Sequence, residues 1–307
     1  MHIVISGGAG FIGAHSCRAI LARGHQVTVV DDLSRGQPEL LPKEAALEVL
    51  DLRTPALVGL IARLKPDAVL HLAAQMDVRK SVADPTFDAS VNVLGTVNLL
   101  ESAARAGCKR FVAASSGGAV YGEQDVFPAT ESHPRRPASP YGVSKLCLEE
   151  YLAHYQLAQG MSCLALRYAN VYGPMQNPHG EAGVVAIFAK KMLAGEAPVI
   201  NGDGLQTRDY VYGADVARAN ALAVESAVTG ALNIGTARES TVVDVAKALA
   251  AALGFTQPIG HGEAKAGEQR RSVISPANAK ARLGWEPTMR LEEGLAETAQ
   301  WFRQQHG

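Results

Sequence analysis

Residues 1–31, MHIVISGGAGFIGAHSCRAILARGHQVTVVD, decide the fold. His2-Ile3-Val4-Ile5-Ser6 is short, β-branched and apolar, the pattern of a strand buried on both faces of a parallel sheet. Gly7, Gly8, Gly10 and Gly13 follow, then an apolar-periodic segment from Phe11 to Leu21 that Gly24 ends. Gln26 to Val30 reads as a second buried strand, closed by Asp31. Strand, glycine turn, helix, strand and acid in this spacing form a dinucleotide-binding fingerprint. The glycines let backbone approach a pyrophosphate at a helix N-terminus, and an acid about twenty residues on accepts from the adenosine ribose. Asp31 would repel a 2′-phosphate, which favours NAD over NADP, with Arg35 as the opposing feature nearby.

Outward from this stretch, strands and helices alternate. A third strand is expected near 47–50 and ends at Asp51-Leu52, where an acid could meet the adenine amino group. A helix near 54–64 precedes a fourth strand at 68–72, and Ala73-Ala74 then gives small residues where backbone must pass close to a cofactor. A long helix near 91–106, a strand at 110–114, the turn Ser115-Ser116-Gly117-Gly118-Ala119-Val120-Tyr121-Gly122, a helix at 141–159 and a strand at 163–168 complete the series. This order implies right-handed crossovers and an α/β fold, a doubly wound parallel sheet of the Rossmann type. From Gly173 the texture changes: Gly173-Pro174, Asn177-Pro178 and Gly180 mark a loop. Helices are expected at 184–193, at 277–283 and at 291–302, with a capped helix start at Thr241 and Asp244. A smaller, interleaved C-terminal substrate domain is therefore expected. Residues 1–172 with 207–240 would form the NAD-binding domain, and 173–206 with 241–307 the second.

Composition narrows the partners. The 307 residues are 47% apolar and 19% charged with a formal net charge of −1, which gives no electrostatic case for nucleic acid or an anionic membrane. No apolar run approaches the roughly 18 residues of a spanning helix, and the N-terminus reads as a folded strand rather than a signal peptide. Cys17, Cys108, Cys147 and Cys163 are scattered without disulfide or zinc spacing, and the nine histidines form no ligand cluster. The expectation is a cytoplasmic chain with reduced thiols and no metal.

Tyr141 and Lys145 lie four apart at a helix start, so both side chains share one face. A phenol is a poor base at neutral pH, and a neighbouring ammonium with an oxidised nicotinamide would favour the phenolate. The pair follows a dinucleotide fingerprint and a Ser-Ser turn at a strand end.

With Gly7-x-x-Gly10-x-x-Gly13, Asp31, His71-Leu72-Ala73-Ala74, Asn92, Val120-Tyr121-Gly122 and Tyr141-x-x-x-Lys145, the chain resembles an extended short-chain dehydrogenase/reductase. Residues 73–79 (AAQMDVR), Gly202-Asp203-Gly204 with Thr207-Arg208-Asp209-Tyr210, Gly267-Glu268-x-Arg270 and Leu283-Gly284-Trp285 make it similar to nucleotide-sugar enzymes of the UDP-glucose 4-epimerase type over essentially its whole length. The resemblance implies a redox-neutral reaction on a UDP-hexose. Tyr141 would take the 4-hydroxyl proton while hydride passes to a retained NAD, the 4-keto sugar turns over, and hydride returns to the other face. Lys145 would hold the cofactor ribose and depress the Tyr141 pKa. The implied cofactor residues are Gly7, Gly10, Phe11, Ile12, Gly13, Asp31, Asp32, Leu33, Ser34, Arg35, Gly36, Asp51, Leu52, Leu72, Ala73, Ala74, Gln75, Asn92, Tyr141, Lys145, Tyr168 and Ala169. The implied substrate residues are Ser116, Tyr141, Asn170, Gly183, Val184, Val199, Ile200, Asn201, Arg208, Lys265, Arg270 and Ser272, with the two arginines suited to a pyrophosphate. A homodimer is implied as well, formed through the helices at 91–106 and 141–159.

Three departures from the family pattern involve four positions. The usual catalytic Ser or Thr falls on Gly117, so Ser116 or a water would assist Tyr141. Lys265 and Asn201 stand where an arginine and an aromatic are usual, which loosens uridine selectivity. Ser272 stands where hexose size is gated, and a small residue there leaves room for an N-acetyl group. Related dehydratases and decarboxylases carry carboxylates in the turn where this chain has Gly117, Gly118 and Ala119. Epimerisation of a UDP-uronic acid stays open, as does a non-catalytic NAD sensor, although a sensor would be expected to lose the Tyr141/Lys145 pair.

Overall fold

The computed structural model describes residues 1–178, 183–264 and 269–306. Strand β1 (His2–Ser6), helix α1 (Phe11–Leu21) and β2 (Gln26–Asp31) form the first βαβ unit. Next come β3 (Ala46–Val49), α2 (Ala56–Leu64) and β4 (Ala68–His71), then α3 (Val78–Ala83), α4 (Pro85–Ala89) and α5 (Gly95–Arg105). Strand β5 (Arg110–Ser116) leads through α6 (Gly117–Tyr121) and α7 (Pro140–Gln159) to β6 (Ser162–Tyr168). Ile3, Val4, Ile5, Val29, Val30, Val69, Leu70, Val112 and Leu164 lose all solvent contact, as strands covered on both faces by helices must.

The second half interleaves with the first. It runs β7 (Asn170–Tyr172), α8 (Val184–Leu193), β8 (Val199–Asn201), β9 (Thr207–Arg208), β10 (Tyr210–Tyr212), α9 (Gly213–Glu225) and β11 (Gly230–Ile234). Then follow β12 (Ser240–Thr241), α10 (Val242–Leu253), β13 (Gly260–Gly262), β14 (Arg271–Ser272), α11 (Ala277–Leu283) and α12 (Leu291–His306). Seven strands make one parallel sheet in the order β11-β6-β5-β4-β1-β2-β3, as the doubly wound expectation requires. The strand order reverses between β1 and β4, and the crevice outside their carboxyl ends is where this fold takes a ligand. Smaller pairings are β10-β7, β12-β9-β14 and β13-β8. Among the described residues no helix is long and apolar enough to cross a membrane, and no cluster of His, Cys, Asp or Glu is arranged to hold a metal ion. All four cysteines are free, and Cys17, Cys108 and Cys163 are buried.

Several elements differ from the sequence reading. The helix expected at 91–106 is split: residues 90–94 form a π-helical turn and α5 begins only at Gly95. The extra residue in that turn directs Asn92 inward, to 2% exposure, a use of π-turns common at functional sites. Strand β5 continues two residues further than expected, through Ser115 and Ser116. Residues 207–212 form two short strands, β9 and β10, broken at Asp209. The Thr241 capping box is present, with Asp244 answering the cap.

One buried chain of polar contacts ties α1, α9 and β6 together. The Tyr168 hydroxyl donates to Asn220 Oδ1 at 2.6 Å, Asn220 Nδ2 donates to Ser16 Oγ at 2.9 Å, and Ser16 Oγ donates to the Ile12 carbonyl at 2.7 Å. Asn220→Ala would leave the buried Tyr168 hydroxyl unpaired and is expected to lower unfolding free energy by about 1–3 kcal/mol in urea titrations; an unchanged midpoint would contradict this.

Candidate active site

The crevice is closed at its floor by backbone. Gly7 has φ 71°, and a Cβ there would lie 2.5 Å from the Ala73 nitrogen; a Cβ on Gly13 would lie 2.3 Å from the Gly7 carbonyl oxygen. Only glycine leaves this cradle open. Gly10 caps α1 without a side-chain cap bond, so the first N–H groups of an eleven-residue helix face the space over the turn, a geometry suited to a pyrophosphate. Asp31 closes the same pocket: Oδ2 accepts from Ala9 N at 3.0 Å, Oδ1 from Leu33 N at 2.9 Å, and a Cβ on Gly36 would reach Oδ1 at 2.7 Å. Burial raises the Asp31 pKa, against the two backbone bonds that lower it. Asp32 accepts from Ser34, Arg35 lies 3.9 Å from Asp77, and Asp51 is forked by Arg53. These features fit NAD: a cradle for two phosphates and an acid placed for a ribose.

The far wall is a clasp. Asn92 Oδ1 accepts from Gln75 N at 2.8 Å while its Nδ2 donates to the Gln75 carbonyl at 2.8 Å, fixing the chain after Leu72-Ala73-Ala74. Below it, Ser6 Oγ lies 2.6 Å from His71 Nδ1, and His71 Nε2 lies 2.8 Å from Thr96 Oγ1, whose own proton goes to the Asn92 carbonyl. Thr96 therefore accepts, His71 carries its proton on Nε2, and Ser6 donates to Nδ1. Complete burial holds the His71 pKa down to about 3, so this bridge keeps one protonation state across neutral pH.

Tyr141 and Lys145 stand on the first turns of α7. The Ser139 side chain caps that helix through the Gly142 N–H, and Pro140 occupies its first turn. Lys145 is 3% exposed; its Nζ donates to the Ala114 carbonyl at 2.9 Å and lies 5.8 Å from the Tyr141 ring centre. Desolvation pushes the Lys145 pKa down to about 8, with Asp88 and then Glu149 opposing the shift. Tyr141 is half-buried, and its pKa is raised, first by desolvation and then by the Asp88 charge. Lys145 is not what sets that value here. The depression expected from Lys145 together with an oxidised nicotinamide therefore has to overcome this upward shift.

The turn after β5 is tight around position 117. A Cβ on Gly117 would lie 3.0 Å from Ile274, and one on Gly118 3.3 Å from Ser272 Oγ. Of the two serines, Ser115 is buried and donates to Glu149 at 2.6 Å. Ser116 is half-buried, accepts from Ala119 N at a long 3.4 Å, and has no partner for its proton among the described residues. The turn is bracketed. The helix carrying Tyr141 packs on one side, where a Cβ on Gly142 would lie 2.7 Å from the Ala119 carbonyl, and β14 packs on the other.

On that second side Arg208 and Ser272 are register partners in β9-β14, and Thr207 N donates to the Arg270 carbonyl at 3.0 Å. Arg270 is exposed and grips Asp203 with two bonds of 2.9 Å. Asp209, which sequence reasoning read only as part of a motif, organises the group. Its carboxylate accepts from Thr236 N and Oγ1, Ala237 N and Ile274 N, while its backbone joins Asn170 and Ser272. Burial raises its pKa to about 6. Gly183 caps α8, with Val184 beside it, and Asn170 is exposed at the start of β7. Val199 is half-exposed and Asn201 half-buried in β8.

Some expected ligands face elsewhere. Ile200 is 2% exposed inside the cluster of α8, α10 and α12, so only its backbone is available. The Tyr168 hydroxyl is committed to Asn220, and Ala169 N to the Ile234 carbonyl. Leu52 packs in the core, and its carbonyl accepts from Asn98. Phe11 and Ile12 are half-buried at the start of α1. Lys265, with Gly267 and Glu268 of the tail motif and Gly180 of the loop, lies outside the described residues.

Comparison with known proteins places these features in a family. Residues 3–235 match the model of the NAD dependent epimerase/dehydratase family. The chain is 43% identical to the UDP-glucose 4-epimerase of Mycolicibacterium smegmatis over 99% of each chain. It superimposes with a TM-score of 0.98 and 43% identity on the whole of a UDP-glucose 4-epimerase from Thermotoga maritima solved with UDP-glucose. The enzyme of the same name from Thermus thermophilus, solved with NAD, gives 0.94 and 42% over 99% of each chain. With the fingerprint, the sheet order and these likenesses in agreement, the chain belongs to the NAD dependent epimerase/dehydratase family.

Proposed function

We propose that the chain is an NAD-dependent isomerase that interconverts UDP-glucose and UDP-galactose at C4 through a 4-keto sugar. The observation that carries the reading is the bracketed turn: Ser116 and Gly118 sit between the helix bearing Tyr141 and Lys145 and the strand bearing Ser272, whose register partner is Arg208. Full-length similarity to enzymes of that name supports the same substrate class. When bound, NAD supplies a hydride acceptor that gives the hydride back within one turnover. Tyr141 Oη takes the proton of the C4 hydroxyl and later returns it. Ser116 Oγ, whose proton has no partner among the described residues, donates toward the C4 oxygen. Lys145 Nζ remains an ammonium below about pH 8 and holds the ribose of the cofactor. Arg208 and Arg270 grip the pyrophosphate, and Arg270 releases Asp203 to do so. A firm hold on phosphate beside a short, small-residue turn leaves the hexose room to present either face.

Elimination and decarboxylation need a carboxyl group in the turn. Positions 117–119 supply none, and Glu149, which accepts from Ser115, is engaged by Arg167. The Ser272 hydroxyl beside Gly118 favours acceptance of N-acetylhexosamine forms as a second activity, because a small side chain borders the sugar space. UDP-uronic acids would differ only at C6. Residues 1–172 with 207–240 then serve as the NAD unit and 173–206 with 241–307 as the nucleotide-sugar unit. We read the assembly as a homodimer in the cytoplasm: Leu94, Val143 and Tyr151 on and beside α5 and α7 leave apolar surface that a second copy would cover.

Incubation with UDP-glucose and no added nucleotide is expected to yield UDP-galactose, because NAD is retained; dependence on stoichiometric NAD would make the chain a dehydrogenase instead. Tyr141→Phe should lower kcat by about 10²–10⁴-fold with substrate affinity nearly unchanged, and undiminished turnover would remove Tyr141 as the base. Because the Lys145 pKa is depressed, its ammonium is present at neutral pH and lost as pH rises through about 8; kcat should fall across that range, and a profile flat to pH 10 would contradict the role.

A further inference from the structure

Asp88 lies in none of the expected site residues, yet it is fully buried and touches three elements of the site. Its Oδ1 accepts from Gln75 Nε2 at 3.0 Å and from Asn92 Nδ2 at 2.9 Å, and its Oδ2 accepts from Ser144 Oγ at 2.7 Å. Gln75 and Asn92 are the clasp of the cofactor wall, while Ser144 stands between Tyr141 and Lys145 on α7. All three donors are neutral, so a buried carboxylate is kept here with no ion pair among the described residues, an arrangement that costs stability unless charge is needed.

We propose that Asp88 is a positioning residue for the reaction: its carboxylate locks the catalytic helix to the cofactor wall and supplies the fixed negative charge that Lys145 and Tyr141 face. The titratable groups around it are few. Helix α7 brings Tyr141, Lys145 and Glu149, and Glu149 is already paired with Arg167. Strand β4 brings His71, held neutral between Ser6 and Thr96. Helix α3 contributes Lys80, whose Nζ stacks 4.3 Å over the Phe87 ring, and Arg79, which is exposed. A nearby negative charge favours an ammonium over an amine and a phenol over a phenolate, so Asp88 raises both values. It keeps Lys145 charged in a dry site, and it keeps Tyr141 protonated until a bound cationic ring offsets it. The phenolate would then form only on a loaded site.

This inference rests on the catalytic reading of Tyr141 and Lys145, and the variants separate the two. Asp88→Asn keeps the shape: its amide oxygen accepts from Gln75 and Asn92, and its NH2 donates to a Ser144 hydroxyl that turns its proton away. It should therefore fold and retain NAD while both limbs of the kcat–pH profile move acid together, by on the order of one pH unit. Ultraviolet titration of the holoenzyme, with the Tyr141 signal identified by difference from Tyr141→Phe, should show the phenol ionising at correspondingly lower pH, a readout independent of turnover. Asp88→Ala, which loses the lock as well, should lower kcat at least tenfold at the optimum with KM changed less. Unmoved limbs and an unmoved tyrosinate signal in Asp88→Asn would overturn the charge role, and parental kcat in Asp88→Ala would overturn the lock. An active Tyr141→Phe would instead remove the catalytic reading on which both stand.

Discussion

The bidentate pair between Glu149 and Arg167 joins the middle of α7 to β6 with both side chains about 95% buried. Glu149 also takes the Ser115 proton at the end of β5, and Arg167 Nη1 donates to the Tyr121 hydroxyl, which donates in turn to Asn233 at the end of β11. Burial alone would lower the Arg167 pKa, but Glu149 and Tyr121 more than offset it, so the guanidinium stays charged. A buried pair of this kind contributes little net stability against an apolar substitute, yet losing one partner strands the other at a cost of about 3–5 kcal/mol. Its value lies in geometry: helix, turn and two strand ends are held in one register, so Tyr141, Lys145 and Ser116 keep their relative places.

The remaining site is built against this frame from two sides. On one, backbone approaches backbone at Gly7, Gly13 and Ala73, and the Asn92–Gln75 clasp fixes the wall that follows. On the other, Asp209 collects four backbone and hydroxyl donors and thereby sets β9, β10 and β14 against the turn. Buried backbone and hydrogen-bond contacts gather on these two flanks, while under the proposed reading the hexose would be bordered by Gly117, Gly118 and Ser272. That asymmetry suits a reaction in which the nucleotide must stay and the sugar must turn.

Local features were legible in the sequence. The glycine spacing, Asp31, the alternation of apolar strands with periodic helices, and the Thr241–Asp244 cap depend on near neighbours and appear where the residues imply them. What escaped reading depends on distant partners. Nothing in the spacing distinguishes Asp88 or Glu149 from surface acids, because their donors lie up to 56 residues away. The π turn at 90–94 hides within an ordinary helical period, and the break at Asp209 comes from bonds to Thr236 and Ile274. The same limit hid the packing of the Ile200 side chain in the core and the bond of the Tyr168 hydroxyl to Asn220, which leave the backbone for the roles their family positions suggest. It also hid the close approach at Gly117, where a Cβ would lie 3.0 Å from the side chain of Ile274, far along the chain.

The central claim is that oxidation and reduction occur at the same sugar carbon on one retained NAD. Conversion of UDP-glucose carrying deuterium at C4 tests it most directly. The account predicts UDP-galactose with the deuterium still at C4, none in the solvent, and no reduced nucleotide accumulating with turnover. Loss of the label to water, or one reduced nucleotide released per product, would contradict it.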